Sequence, residues 1–205
     1  MKLFIIGATG GVGKEAVRQA LSKGHEVTAY VRDKNKLVHE AHNNLSIVQG
    51  DGLDLDTMTA AMKGHDAIIC TVGSKGLKAS STMSDIVKNL IVAMKQNQIS
   101  KIIYCASAGI HREVPGVMGK LIMFLLRNPL KDHRRSYEML KESGLDYTVV
   151  RPMGLADEDR IEPYQIVGHK VSPPSTKISR AAVAHFMLEA VESTKYNKQS
   201  IGLSY

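Results

Sequence analysis

The residues of this chain whose types and spacing point most directly to chemistry lie in the segment Gly7-Ala-Thr-Gly-Gly-Val-Gly13, which follows directly on an apolar run at 3–6. Each glycine has its own use in a phosphate-binding loop. Gly7 lets the chain turn sharply out of a strand, Gly10 lets the backbone approach a pyrophosphate, and Gly13 lets the next helix sit close to the sheet. A helix opening through Gly11 and Val12 presents free N–H groups and the positive end of its dipole to phosphate oxygens, and Thr9 adds a hydroxyl. A glycine-rich string alone is often only a turn. Here a strand precedes it, a helical pattern follows, and a second strand lies beyond, which is the context a dinucleotide site requires.

That second strand ends in Val31-Arg32-Asp33. A site for NAD normally carries an acidic residue there to bind the ribose 2′-hydroxyl. Arg32 points instead to a 2′-phosphate, and so to NADP(H), with Lys36 as a second cation if the loop curls back. The competing reading is that Arg32 and Lys36 are solvated loop charges, as exposed basic residues usually are.

The elements that must hold this loop are legible as alternating periods. Strand-length apolar runs at 3–6, 26–31, 45–48, 67–70, 101–105 and 147–150 alternate with helical patterns at 12–21, 54–62, 83–94 and 136–142, and a late helix at 179–191 precedes a candidate strand at 200–204. This is the βαβ signature of a Rossmann-type, doubly wound parallel α/β sheet. At 205 residues the chain is expected to form one domain over 1–205, with a small substrate-side region toward the C-terminus. Hydrophobic residues make up 43% and charged residues 23%, an ordinary globular balance. No apolar run approaches the length of a membrane span and no signal-peptide pattern precedes the first strand, so a cytoplasmic protein with no membrane partner is expected. Cys70 and Cys105 sit at strand ends and read as buried thiols. His39 and His42 lack the companions of a metal site, and no metal is expected. The formal charge is +7, and between Lys101 and Lys141 eight Lys/Arg face three Asp/Glu. The excess favours anionic ligands. No nucleic-acid recognition motif accompanies it, and aromatic residues are only 5%, so nucleic acid is not an expected partner.

Taken together, the phosphate loop, Val31-Arg32-Asp33, Gln49-Gly50-Asp51, Asp66-Ala-Ile-Ile-Cys70, Ser107-Ala108 and the stretch from Ser143-Gly-Leu-Asp-Tyr to Arg151-Pro152 are similar to the atypical short-chain dehydrogenase/reductase family. The resemblance is to its NAD(P)H-binding branch, which includes flavin reductase/biliverdin-IXβ reductase and the NmrA-like proteins, and it covers nearly the whole chain. It implies that Asp51 and Gly52 border the adenine, that Thr71, Val72 and Gly73 pass beneath the nicotinamide-side ribose, and that Ser107 faces the nicotinamide. A plain helix-capping role for Asp51 stands beside this reading.

Tyr-dependent relatives protonate a carbonyl with a Tyr aided by a Lys one helical turn on. Tyr137 and Lys141 have that spacing but fall too near Arg151, and the expected register holds Leu130 and Arg134. An acceptor that needs orientation more than a strong protein acid fits better, so the expected function is hydride transfer from NADPH to a flavin, quinone or similar small conjugated acceptor. Ser107 would orient the rings, and His133 or His111 would deliver a proton. Where flavin reductase/biliverdin-IXβ reductase has a His after its sixth strand this chain has Met153, which argues against bilins. Met153 and the apolar run 117–126 are read either as a wall against the acceptor or, for the run, as a core or dimer-contact helix. The alternative function is a non-catalytic NmrA-like NADP(H) sensor, and monomer and homodimer both remain open.

Overall fold

Alternation along the first strand sets the layering. In a computed structural model, which describes residues 1–37, 42–74, 76–161, 163–168 and 174–205, strand β1 (Lys2–Ile6) sends Leu3 and Ile5 into one apolar cluster and Phe4 and Ile6 into another. All four are buried. A strand buried on both faces belongs in a parallel sheet covered by helices on both sides. β2 (Glu26–Val31), β3 (Leu45–Gln49), β4 (Ala67–Cys70), β5 (Lys101–Cys105) and β6 (Asp146–Pro152) pair with it in the order β3-β2-β1-β4-β5-β6, parallel throughout. The chain winds outward from β1 to β3 and then crosses back to β4. This reversal opens a crevice at the carboxyl ends of β1 and β4, the place where open α/β sheets bind ligands.

Helices α1 (Gly11–Ser22), α2 (Leu55–Ala61), α3 (Thr82–Gln96), α4 (Gly116–Leu125), α5 (Arg127–Glu142) and α6 (Arg180–Glu192) complete the fold. α1 and α6 cover one face, while α2, α3 and α5 cover the other. Gln19 of α1 donates to the Ala181 carbonyl at the start of α6, and Lys23 and His25 reach Glu192 near its end, so the two helices are tied side by side. Beyond β6, the strand β10 (Gln199–Ser204) adds in parallel and β8 (Gln165–Val167) adds antiparallel to β10. The segment between β6 and α6 also folds a small parallel pair, β7 (Gly154–Ala156) with β9 (Lys177–Ser179).

The expected strands all form, and the Rossmann-type doubly wound sheet is the fold observed. α5 is the main difference, since it begins at Arg127 rather than near Ser136. Pro129 obscures that start in the sequence. It falls in the first helical turn, where an N–H has no partner inside the helix to lose, so it is compatible with a helix that it appears to interrupt. Of the proline-containing loop at 172–175, residues 172 and 173 lie outside the described residues.

Cys70 and Cys105 are both buried and unpaired, and they belong to the clusters on opposite faces of the sheet. Burial pushes each thiol up to about 12. Arg151 of β6 is wholly buried and forms an ion pair with Glu113, whose side chain is equally shielded, while a second Arg151 nitrogen donates to the Gly168 carbonyl at 2.8 Å. This pair ties the β5–α4 connection to the sheet. Removing one partner would leave the other charge buried and unpaired. Glu113→Ala is therefore expected to cost about 3–5 kcal/mol of stability, read from the urea midpoint at constant denaturant slope; a change below about 1 kcal/mol would show that water reaches the guanidinium.

Candidate functional site

At the end of β1 the backbone turns through Gly7, whose φ is +84°. A Cβ there would lie 2.7 Å from the Thr71 carbonyl carbon. A Cβ on Gly13 would lie 2.8 Å from both the Ala8 Cα and the Gly7 carbonyl carbon, and closer still to the Gly7 oxygen. Backbone meets backbone at both points, and no side chain could move aside to make room. The Gly7 carbonyl accepts from Gly10 N at 2.9 Å, and the Gly10 carbonyl accepts the first helical bond from Lys14 N at 2.8 Å. Gly11 and Val12, at the head of α1, line the crevice.

That crevice is a cavity of about 890 Å³. Gly7, Thr9, Gly10, Gly11, Val12, Arg32, Asp51, Gly52, Thr71, Val72, Gly73, Ser107 and His133 all line it. The structure therefore brings together most of the residues singled out from the sequence. Gly13 lies beneath the wall rather than on it, consistent with a packing use. Asp51 spends one carboxylate oxygen on Leu53 N at 3.0 Å, while Asp54 caps α2 through Thr57 N at 3.1 Å. The cap expected of Asp51 belongs to Asp54. Tyr30 donates to the Asp51 carbonyl at 3.1 Å, and Asn89 donates to the Gly52 carbonyl, which fixes this side of the cleft. Burial, with the charges of Asp54 and Asp51, pushes the Tyr30 phenol up to about 12.

Three features singled out from the sequence lie away from the cavity's lining. Lys36 is exposed and stands outside the cavity's lining. After Arg32 the chain enters a short 3₁₀ turn, Lys34–Leu37, opened by Asp33, which accepts from Asn35 N at 3.0 Å; the turn carries Lys36 off to solvent. His111 also lies outside the lining. Its Nε2 is hydrogen-bonded to Ser200 at 2.9 Å and its ring stands edge-on to Tyr137, 4.9 Å between centroids, so it is held within the scaffold. Neither Met153 nor residues 117–126 are among the lining, so of their two readings the apolar wall is not the one formed; the apolar lining includes Val72, Met83, Ile86 and Leu155. His42 is exposed and accepts from Asn44 N, and His39 lies outside the described residues. No cluster of three metal-ligating side chains occurs among the described residues.

The structure adds residues that the sequence did not single out. Arg180, the first residue of α6, lays its side chain over Gly11, with Nε 2.5 Å from where a Cβ of Gly11 would sit. Its guanidinium holds Asp157 at 2.5 Å, but that carboxylate is 88% exposed, and so solvated a pair contributes little. Arg180 is thus a cation beside the helix terminus with only a weak prior engagement. No local pattern marks it, because its place depends on α6 lying along α1. Asn128 and Asp132 arrive on the part of α5 that Pro129 concealed. Asp132 is buried and accepts from Met83 N and Ser84 N at 3.0 and 3.1 Å, which fills the N-terminus of α3 from within the chain. Asn128 donates to the Leu77 carbonyl at 2.9 Å and holds the loop before α3.

The far end of the cavity holds Ser107 and His133. The Ser107 hydroxyl donates to the Ala108 carbonyl at 3.1 Å. His133 is hydrogen-bonded through Nδ1 to the buried Tyr104 hydroxyl at 2.7 Å. Burial pushes His133 down to about 4, the charge of Asp132 opposing it. The imidazole is therefore neutral at physiological pH. Tyr137 is buried outside the lining, its ring edge-on to both His111 and Tyr147.

A family model described as NAD(P)H-binding matches residues 7–194. An uncharacterised chloroplast protein of Arabidopsis thaliana is 30% identical over 206 residues, spanning 93% of this chain and 71% of its own length. The chain spans only 46%, 27% and 32% of three further, longer curated relatives. Among solved structures, a short-chain dehydrogenase/reductase of Veillonella parvula in complex with NADP superposes with a TM-score of 0.86 at 21% identity, covering 100% of this chain and 94% of that one. The anaerobilin reductase ChuY of Escherichia coli O157:H7 superposes with a TM-score of 0.85 at 22% identity, over 99% and 96% of the two chains.

The depressed His133 value has a consequence for stability. In the unfolded chain the group titrates near 6.5, so between about 6.5 and about 4 the unfolded state binds more protons than the folded one. The contribution is complete above about pH 6.5, falls as pH drops and levels off below about 4, for a total of about 3 kcal/mol. Urea titrations across this window are expected to show a shallower acid slope for His133→Gln than for the parent. Equal slopes would place the imidazole in contact with water.

Proposed function

The chain belongs to the NAD(P)H-binding family, and we propose that it is an atypical short-chain dehydrogenase/reductase, an NADPH-dependent oxidoreductase passing a hydride to a flavin, quinone or similar small conjugated acceptor. The observation that carries this reading is the neutrality of His133 at the far end of the cleft, next to a Ser107 hydroxyl already donating to a backbone carbonyl. A ketone or aldehyde needs a proton as its oxygen gains charge in the transition state. A flavin or quinone spreads the incoming electron pair over its ring system and takes its proton afterwards from solvent, so the protein's task is orientation and exclusion of side reactions. The likeness to an anaerobilin reductase is in keeping with a conjugated acceptor.

The cofactor's parts follow the cavity. The pyrophosphate lies at the N-terminus of α1, where backbone N–H groups and the helix dipole meet it, with Arg180 reaching it from α6. The adenosine lies along Tyr30, Arg32 and Asp51, and Arg32 takes the 2′-phosphate. Asp33 does not compete, because one of its carboxylate oxygens is held by the turn that follows. The nicotinamide lies against Thr71, Val72 and Ser107. When bound, the cofactor supplies the hydride.

These placements separate two arginines. Arg32→Ala is expected to weaken NADPH by about tenfold or more while leaving NADH nearly unchanged, because only NADPH carries the 2′-phosphate. Arg180→Ala is expected to weaken both by a similar factor, about tenfold, because both carry the pyrophosphate. Equal losses of the two cofactors with Arg32→Ala would overturn the 2′-phosphate assignment. Turnover is tested by mixing the protein with NADPH and a panel of FMN, small quinones and aldehydes and following the nicotinamide absorbance. Oxidation with flavins or quinones but not aldehydes is expected. Tight NADPH binding with no turnover on any acceptor would overturn the reductase reading in favour of a sensor of the NADP(H) state.

A further inference from the structure

Helix α4 is covered on only one narrow side. Gly119 rests on Val114, and Met123 packs toward Gly109 and the apolar cluster beneath α5. The rest of the helix is open: Val117 is 86% exposed, Met118 67% and Phe124 62%, with Leu121, Ile122 and Leu125 about half exposed. At about 100° per residue, Phe124, Val117, Leu121, Leu125, Met118 and Ile122 fall in that order around a continuous apolar arc of about 160°. Scattered exposed apolar residues need no explanation, whereas a contiguous patch on one element marks a surface that something covers.

The charges around this arc say what covers it. From Arg112 to Arg135 the acidic residues are Glu113 and Asp132, and both are withdrawn into the protein, the first on Arg151 and the second on the N-terminus of α3. The charges that reach solvent there are Arg112, Lys120, Arg127, Lys131 and Arg135, all cationic and all exposed. Lys120 lies on the flank of the apolar arc, and Arg127 follows its end with its guanidinium 4.6 Å from the Phe124 ring centroid.

We propose that α4 and these cations form a docking surface for an anionic lipid bilayer. An apolar helical ridge sinking between acyl chains, with Lys and Arg at headgroup level, is the arrangement by which interfacial helices hold to membranes. Two features favour a bilayer over a protein. The ridge is the convex surface of a helix and the arc on it is apolar throughout, whereas protein interfaces concentrate their energy in anchors seated in pockets. A second copy of the chain would bring the same cations against themselves across a two-fold axis, a repulsion that an anionic membrane turns into attraction. No described helix is long and apolar enough to cross a membrane, so contact would be with one leaflet only.

The position of α4 connects this surface with the cleft. α5 follows directly, and Asn128 and Pro129 in its first turn line the cavity near Ser107 and His133. A membrane-seated α4 would bring that end of the cleft to the lipid surface, where lipophilic quinones are concentrated. This last step rests on the oxidoreductase reading; the docking itself does not.

The test is co-sedimentation of the full chain with phosphatidylcholine vesicles prepared with and without phosphatidylglycerol, which requires no turnover. Binding to the anionic vesicles at least about tenfold tighter than to the neutral ones, and weakened by salt, is expected. Leu121→Asp combined with Leu125→Asp is expected to abolish it, and Lys120→Glu combined with Arg127→Glu to remove the anionic preference. All four residues face solvent, so NADPH affinity should be unchanged and reports that the variants remain folded. The proposal is overturned if neither vesicle sediments the protein, or if the double Asp variant binds like the parent. It is equally overturned if the parent is a dimer in solution that the double Asp variant dissociates, because α4 would then be a self-interface.

Discussion

Where β1 ends, three pieces of backbone converge: the turn at Gly7, the second turn-forming residues of the loop, and the end of β4 at Thr71. The spacing there leaves no volume for a Cβ on Gly7 or Gly13. Because the groups in contact are main chain, the crowding cannot be relieved by a rotamer change, and the position of α1 relative to the sheet is fixed as a result. The same crowding has a chemical effect. It sets the head of α1 on the wall of the cleft, with the helix dipole behind it and the Arg180 side chain laid over Gly11. The remaining walls are built outward from this point, with the loop at Gly50–Gly52 propped by Tyr30 and Asn89 on one side and α6 bringing Arg180 over the other.

The two ends of the cleft are therefore made differently. At the phosphate end, backbone donors and cations supply a field that any dinucleotide would meet. At the acceptor end, polar side chains are present but already committed: Asp132 to the start of α3, Ser107 to a neighbouring carbonyl, His133 to Tyr104. Those commitments hold the wall of the cavity in shape. On the function proposed above, an acceptor would meet mainly shape and apolar surface there, Met83 beside Asp132 included.

Most of the sheet was legible in the sequence because burial on both faces makes its central strands short, dense apolar runs with turn residues on each side, a signal carried by neighbours along the chain, whereas the short, largely exposed β8 carried no such signal. The phosphate loop was legible for the same reason: its glycines answer a local backbone requirement. Arg32 could be placed because it follows its strand immediately. Lys36 could not, because its direction depends on whether the chain past Arg32 curls toward the cleft or into the 3₁₀ turn that Asp33 opens. His111 and His133 were indistinguishable as letters, and only packing separates an imidazole held against Tyr137 from one on the cavity wall. Arg180 lay furthest from sequence reasoning, since it meets Gly11 only after the whole sheet has formed between them.

The two cysteines, described above as small apolar fillers, carry a further consequence. With their acidity suppressed to about 12 and their sulfurs on opposite sides of the sheet, they present almost no thiolate to a reagent in the bulk. For Cys70, wholly buried, modification then has to wait for its strand to separate, whereas Cys105 lies on the wall of the cleft. Cys70 ends β4 beneath the cleft, so the rate at which it is alkylated is a clock for the opening of that strand. The protein thus contains one internal gauge of how firmly its centre is closed, and a ligand that clamps the crevice between β1 and β4 would slow it, while one that fills the cleft would cover Cys105 directly.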